Sequence, residues 1–126
     1  MAESKTEHCA VPEPFEWDES FDVKVEEFNT QHKKLFKLIN ALAADKGNAE
    51  VLKELLEYVV MHFKSEEDKF EEKSYAGAEG HKAIHDKFVA DASAVTEVTD
   101  DVIAFLKQWL VDHIKLSDMK YSNKLA

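Results

Sequence analysis

The stretch A-E-V-L-K-E-L-L-E-Y-V-V-M-H-F-K-S-E-E-D-K-F-E-E, Ala49 to Glu72, decides the fold. Leu52, Leu55, Val59, His62, Glu66 and Phe70 recur there at steps of three and four, the spacing of one face of an α-helix. No proline or glycine interrupts it, and Asn48 precedes it as a cap. Two polar residues, His62 and Glu66, stand on an otherwise apolar face.

The same pattern extends to both sides. Upstream, Val25, Phe28, His32, Leu35, Ile39 and Leu42 predict a helix over roughly Lys24 to Ala44. Downstream, His81, Ile84, His85, Phe88, Ala92 and Val95 predict one over Ala78 to Ala94. After a turn at Thr96 to Thr99, Val102, Leu106, Trp109, His113 and Leu116 predict a fourth over Asp100 to Leu116. Both prolines, Pro12 and Pro14, lie before residue 15, and the glycines are Gly47, Gly77 and Gly80, so the helical stretches contain almost no breaker. Four amphipathic helices with short connections predict an all-α, antiparallel up-down-up-down four-helix bundle over residues 15–126. Residues 1–14 are expected to form an extended, partly disordered arm in which Met1 to Glu7 frays, while Phe15, Trp17 and Phe21 pack over the bundle.

At 126 residues the chain suits one domain. Sixteen Lys+Arg against 26 Asp+Glu give a net charge of −10, which disfavours nucleic acid and anionic lipid as partners. The opening MAESKTEHCAVPEPFEW lacks the apolar run of a signal peptide, and no later segment resembles a membrane span. A cytoplasmic monomer is the expectation. The single cysteine, Cys9, has no partner for an intramolecular disulfide and reads as an incidental exposed thiol. His8 beside it reads as a solvated tail residue.

The remaining five histidines occupy positions where the helices would otherwise place core hydrophobes, and folding the chain at its turns shows whether they can meet. His32 and His62 are each fifteen residues from Gly47. The pairs Glu66/His81 and His62/His85 are centred between Lys73 and Ser74, and His85/His113 is centred on Thr99. Antiparallel helices of equal rise bring residues equidistant from their turn to one height, so all four helices deliver polar groups to one layer. His62/Glu66 and His81/His85 are each four residues apart, about 40° around a helix, and share a face. His113 and Asp118 are five apart, about 140° on a regular helix, so the backbone should tighten or leave the helix near Ser117 for Asp118 to turn inward.

Seven such groups, His32, His62, Glu66, His81, His85, His113 and Asp118, exceed the needs of one ion and imply two metals. The H-x-x-x-H at His81 lacks the glutamate that a zinc protease helix carries after its first histidine, since Lys82 stands there. The E-x-x-H pairs of carboxylate-rich di-iron enzymes do not occur.

With these motifs the chain resembles the hemerythrin family, of the single-domain myohemerythrin and bacteriohemerythrin kind. The resemblance covers roughly Phe15 to Tyr121. It rests on W-D-E-S-F at Trp17 to Phe21, Q-H-K-K-L at Gln31 to Leu35, H-F-K-S-E-E at His62 to Glu67, E-G-H-K-A-I-H at Glu79 to His85, and W-L-V-D-H-I-K-L-S-D at Trp109 to Asp118. All seven ligand positions of the family are filled. The resemblance implies a non-haem centre of two iron ions, cycling between Fe2+ and Fe3+ with a bridging oxo or hydroxo group. His81, His85 and His113 would hold one iron, His32 and His62 the other, and Glu66 and Asp118 would bridge them.

Counting about six positions per ion leaves one vacant, on the two-histidine iron, and dioxygen would bind there reversibly. The implied role is oxygen storage, transport or delivery rather than catalysis. The alternatives are a di-iron peroxidase or oxidase, nitric oxide scavenging, or oxygen or iron sensing and metal storage. An imidazole-rich donor set and an apolar pocket both favour reversibility, and the pocket candidates are Phe36, Phe63, Trp109, Leu110 and Ile114. Tyr58, Tyr75 and Tyr121 read as packing residues with the hydroxyl at the surface. Within the charged run after Glu66, only Glu66 is expected to face the site.

Overall fold

The computed structural model describes residues 9–122 and 124. The expectations for a fraying Met1–Glu7 and a solvated His8 therefore lie outside the described residues. Four helices form the bundle: α1 (Glu26–Ala44), α2 (Ala49–Glu72), α3 (Ala78–Ser93) and α4 (Asp100–Asp112). A π-helical segment, His113–Ser117, and a 3-10 turn, Asp118–Tyr121, continue α4. Helix α1 packs on α2 and α4, and α2 on α3. Phe88 of α3 stacks on Trp109 of α4 with ring centroids 4.0 Å apart, closing the bundle.

Local chemistry accounts for the boundaries. The Asn48 side chain accepts from the backbone N–H groups of Glu50 and Val51 at the start of α2, and Thr99 accepts from Val102 at the start of α4. Helix α2 ends as the backbone turns left-handed at Ser74, φ 52°. The Tyr75 N–H then bonds to Phe70 O at 2.9 Å and the Ser74 N–H to Glu71 O at 3.2 Å, the double bond of a Schellman cap, here built without glycine. Tyr75 packs against the Phe70 ring, completing that cap. Gly77 follows because a Cβ there would lie 2.9 Å from the Tyr75 ring. Lys24, with φ 66°, starts α1 two residues later than its apolar pattern suggests.

The core runs the length of the bundle through Phe28, Leu35, Ile39, Leu42, Leu55, Val59, Phe63, Phe70, Phe88, Ile103, Leu106 and Leu110. Phe15 and Phe21 are buried against Phe36, and the Lys33 ammonium lies over the Trp17 ring, so the aromatics before α1 do cover the bundle. Cys9 is half-buried rather than exposed. Its N–H donates to Asp112 Oδ1 and its carbonyl accepts from Gln108 Nε2, which fastens this part of the arm to α4.

The fourth helix departs from the expected stripe. Leu116, predicted to face inward, is 40% exposed, while Ile114 is fully buried. The cause is the π segment, which inserts one residue into the helical register and rotates everything after it.

Candidate metal centre

Each helix contributes to the layer that its spacing predicts. Helix α1 supplies His32; α2 supplies His62 and Glu66, one turn apart; α3 supplies His81 and His85, also one turn apart. His113 opens the π segment and Asp118 follows it. In i→i+5 bonding, residues five apart fall on one face, and the Asp118 N–H does bond back to His113 O. The irregularity needed to turn Asp118 inward is thus present, but as a widening of the helix first and a 3-10 tightening only afterwards.

All seven side chains are buried, none more than 5% exposed. They divide into two clusters that share both carboxylates. In one, His81 Nε2 and His113 Nε2 lie 2.9 and 3.1 Å from Asp118 Oδ1, and His85 Nε2 lies 3.1 Å from Glu66 Oε1. In the other, His32 Nε2 lies 3.0 Å from Asp118 Oδ2, and His62 Nε2 lies 3.5 Å from Glu66 Oε2. Within each cluster the facing atoms lie within 4.8 Å of one another. Each carboxylate therefore turns one oxygen to each cluster.

The five Nε2 atoms, Glu66 Oε1 and both Asp118 oxygens are buried without a hydrogen-bond partner. Buried polar atoms are normally paired, and so many orphans aimed at two points are what a pair of cations would satisfy. Imidazole nitrogen and carboxylate oxygen suit iron among other transition metals. The residues present thus fit a two-metal site.

Electrostatics describe the same cluster without its ions. Burial depresses His62 to about 3, against an opposing pull from Glu66. Burial also acts on His81, but the adjoining Asp118 and Glu66 outweigh it and raise His81 to about 9. Glu66 is pushed up by burial and by the Asp118 charge, yet His62, His81 and His85 together bring it down to about 2. Burial also opposes ionisation of Asp118, and the histidines around it, His113 first, hold it well below the usual carboxylate range.

A family model for the hemerythrin HHE cation binding domain matches residues 23–125. The chain belongs to the hemerythrin family. A hemerythrin-like protein of Naegleria gruberi is 56% identical over 115 residues, covering 91% of this chain and 97% of that protein. A myohemerythrin of Theromyzon tessulatum is 40% identical over 91% of this chain and 97% of its own length. A crystal structure of wild-type hemerythrin superposes with a TM-score of 0.83 at 35% identity, covering 86% of this chain and 95% of that one. The fold agrees with that of the hemerythrin structure, and the family model is one for cation binding.

Three neighbours of the hemerythrin cluster escape sequence reasoning. Tyr121, expected to present its hydroxyl at the surface, is fully buried, and its O–H donates to Glu66 Oε2 at 2.6 Å. Burial and the nearby Asp118 and Glu66 charges raise its pKa well above the ordinary value. Glu67, placed by sequence on the solvated face, accepts from His85 Nδ1 at 2.9 Å. Gln31 accepts from His62 Nδ1. Of the three, Gln31 and Glu67 adjoin a histidine or glutamate of the layer in sequence, which was the available signal.

A cavity of about 20 Å³ lies beside the layer, lined by apolar side chains together with His62 and His113. Phe63, Trp109 and Leu110 line it as predicted. Phe36 and Ile114 do not; Phe36 packs under Phe15 and Phe21, and Ile114 is buried elsewhere in the core. Among the described residues no helix is long and apolar enough to cross a membrane.

Proposed function

We propose that this chain holds two iron ions in the polar layer and binds dioxygen reversibly beside them, as an oxygen carrier or store. His81, His85 and His113 would hold one ion, His32 and His62 the other, and Glu66 and Asp118 would serve both. The observation that carries this reading is the division of each carboxylate's oxygens between the two histidine clusters. Iron bound there supplies reversible electron exchange with dioxygen.

The protein's own groups account for the rest. Five side chains face one point and four the other, so the His32/His62 side is the less filled. His62 also lines the cavity. A volume of about 20 Å³ admits a molecule of roughly water size and little more. Besides His62 and His113 the lining is Leu35, Ile39, Leu55, Leu56, Val59, Phe63, Phe88, Leu106, Trp109 and Leu110. It contains no hydroxyl, carboxyl or amine. Such walls exclude water and withhold the protons that would drive bound oxygen on to irreversible products. The Tyr121 O–H is committed to Glu66 Oε2, the oxygen turned to the His32/His62 cluster, and orients that carboxylate.

The test is to reduce the iron-loaded protein without air, admit oxygen, and then remove it while following the visible spectrum. Reversible appearance and bleaching of a coloured form is the expected result. Immediate conversion to the diferric state, or turnover with peroxide or nitric oxide, would instead place the protein among di-iron oxidases, peroxidases or scavengers.

A further inference from the structure

The two histidine clusters differ in what lies behind their rings. His62 Nδ1 faces the Gln31 amide oxygen, a neutral acceptor, whereas His85 Nδ1 faces the Glu67 carboxylate. His32 and His113 have no Nδ1 partner among the described residues. Gln31 and Glu67 are thus the side chains that hold a ring from behind, one in each cluster.

The Gln31 amide is itself oriented by a chain of donors. The Ser65 hydroxyl donates to Met61 O at 3.1 Å, which leaves its oxygen free to accept from Gln31 Nε2 at 3.4 Å. Met61 Sδ, 3.9 Å away, is a second acceptor for that amide. With Nε2 committed to these acceptors, Gln31 Oε1 points at His62, so the ring carries its proton on Nδ1 and turns a bare Nε2 to the centre. Glu67 reaches His85 from the wall of an open cleft between α2 and α3, next to Lys64, Asp68 and Asp86. Lys64 pairs with Asp68 and Lys82 with Asp86, so neither lysine is paired with Glu67. Lys82 feels the Glu67 charge from a distance, but the group in hydrogen-bond contact with that carboxylate is His85 Nδ1, at 2.9 Å. An anionic acceptor behind an imidazole makes the opposite nitrogen a stronger donor than a neutral one does.

We propose that Glu67 and Gln31 are positioning residues that make the two halves of the centre unequal. Glu67 strengthens His85, and with it the three-histidine half, while Gln31 fixes the His62 ring without adding charge. This rests on the ligand reading given under Proposed function. The three-histidine half then binds its ion more tightly and favours the higher oxidation state there, whereas the two-histidine half stays the more weakly held.

The charge is separable from the hydrogen bond, because Glu67→Gln retains an acceptor oxygen and loses only the charge. Metal-free protein is titrated with Co2+ against a competing chelator, which reads two stepwise affinities without any oxygen chemistry. Glu67→Gln should weaken one ion roughly 10–100-fold and leave the other unchanged. Gln31→Glu, which places a charge behind His62, should tighten the other ion and narrow the gap. In the Co2+ protein the exchangeable ring proton that shifts in Glu67→Gln should be that of His85, with the His62 proton unmoved. Fewer than two ions in the unsubstituted chain would overturn the ligand reading and this inference together. Two ions whose affinities are unchanged, or equally reduced, in Glu67→Gln would overturn this inference alone.

Discussion

Helix α2 and the segment that closes α4 do the same job by different backbone means. Each presents a histidine and then a carboxylate to the centre of the bundle. Helix α2 does so at a spacing of four on unbroken α-helix, His62 to Glu66. The other does so at a spacing of five, His113 to Asp118, through a π turn followed by a 3-10 turn. Aspartate is one methylene shorter than glutamate, so its backbone must come closer for both oxygens to reach the two clusters. The wide π turn carries the backbone inward at the position where the shorter side chain stands.

The largest effect should come from removing either carboxylate. Glu66→Ala or Asp118→Ala is expected to prevent binding of two metal ions per chain, as measured by metal analysis after reconstitution. Unchanged stoichiometry would sink the ligand assignment. Deleting Leu116 restores α-helical spacing between His113 and Asp118 and so makes this segment like α2. Loss of one of the two ions is expected, with partial recovery when Asp118→Glu is added to the deletion; full loading with the deletion alone would show that the π turn is dispensable.

A smaller effect is expected from Tyr121→Phe, which removes the donor to Glu66. In the metal-free protein the loss should be about 2 kcal/mol, the usual magnitude for a buried hydrogen bond to a charged group, read by urea denaturation. A loss near zero would mean that the carboxylate finds another donor. Ser74→Gly relieves the left-handed residue that ends α2 and should stabilise by up to about 1 kcal/mol, whereas no comparable gain is available in the π segment.

The metal-free protein should also be most stable near pH 6.5. His81 is raised from 6.5 to about 9, so its contribution is complete below 6.5 and is lost as pH rises towards 9. His62 is depressed from 6.5 to about 3, so below 6.5 the unfolded chain takes up a proton that the folded chain refuses, and stability falls. Glu66, lowered from 4.5 to about 2, adds to the acid-side loss. Thermal melts from pH 4 to 9 check this, and His81→Gln should flatten the alkaline limb; a midpoint that climbs steadily to pH 9 would contradict it.

Much of this was legible beforehand, for identifiable reasons. Helix α2 was predicted to the residue because Asn48 is a strong cap and a period of 3.6 fills its face. The common height of the seven polar residues followed from distances to turns, which depend only on helical rise. Leu116 falls on the wrong face because hydrophobic periodicity assumes an unbroken ladder, and a π turn leaves no mark in composition. Glu67 was assigned to solvent because a run of charges usually is solvated, and nothing local reveals that α3 brings His85 to it.

Periodicity and turn spacing, being local properties of the chain, were enough to establish four helices, their antiparallel order and a single layer of histidines and carboxylates. Contacts between elements far apart in sequence were needed for the rest. Which oxygen of Glu66 faces which cluster, the Tyr121 hydroxyl placed 2.6 Å from that carboxylate, and the different partners behind His62 and His85 all depend on side-chain directions set by packing. A helical period says which face a residue occupies, but the group waiting opposite that face is supplied by another helix.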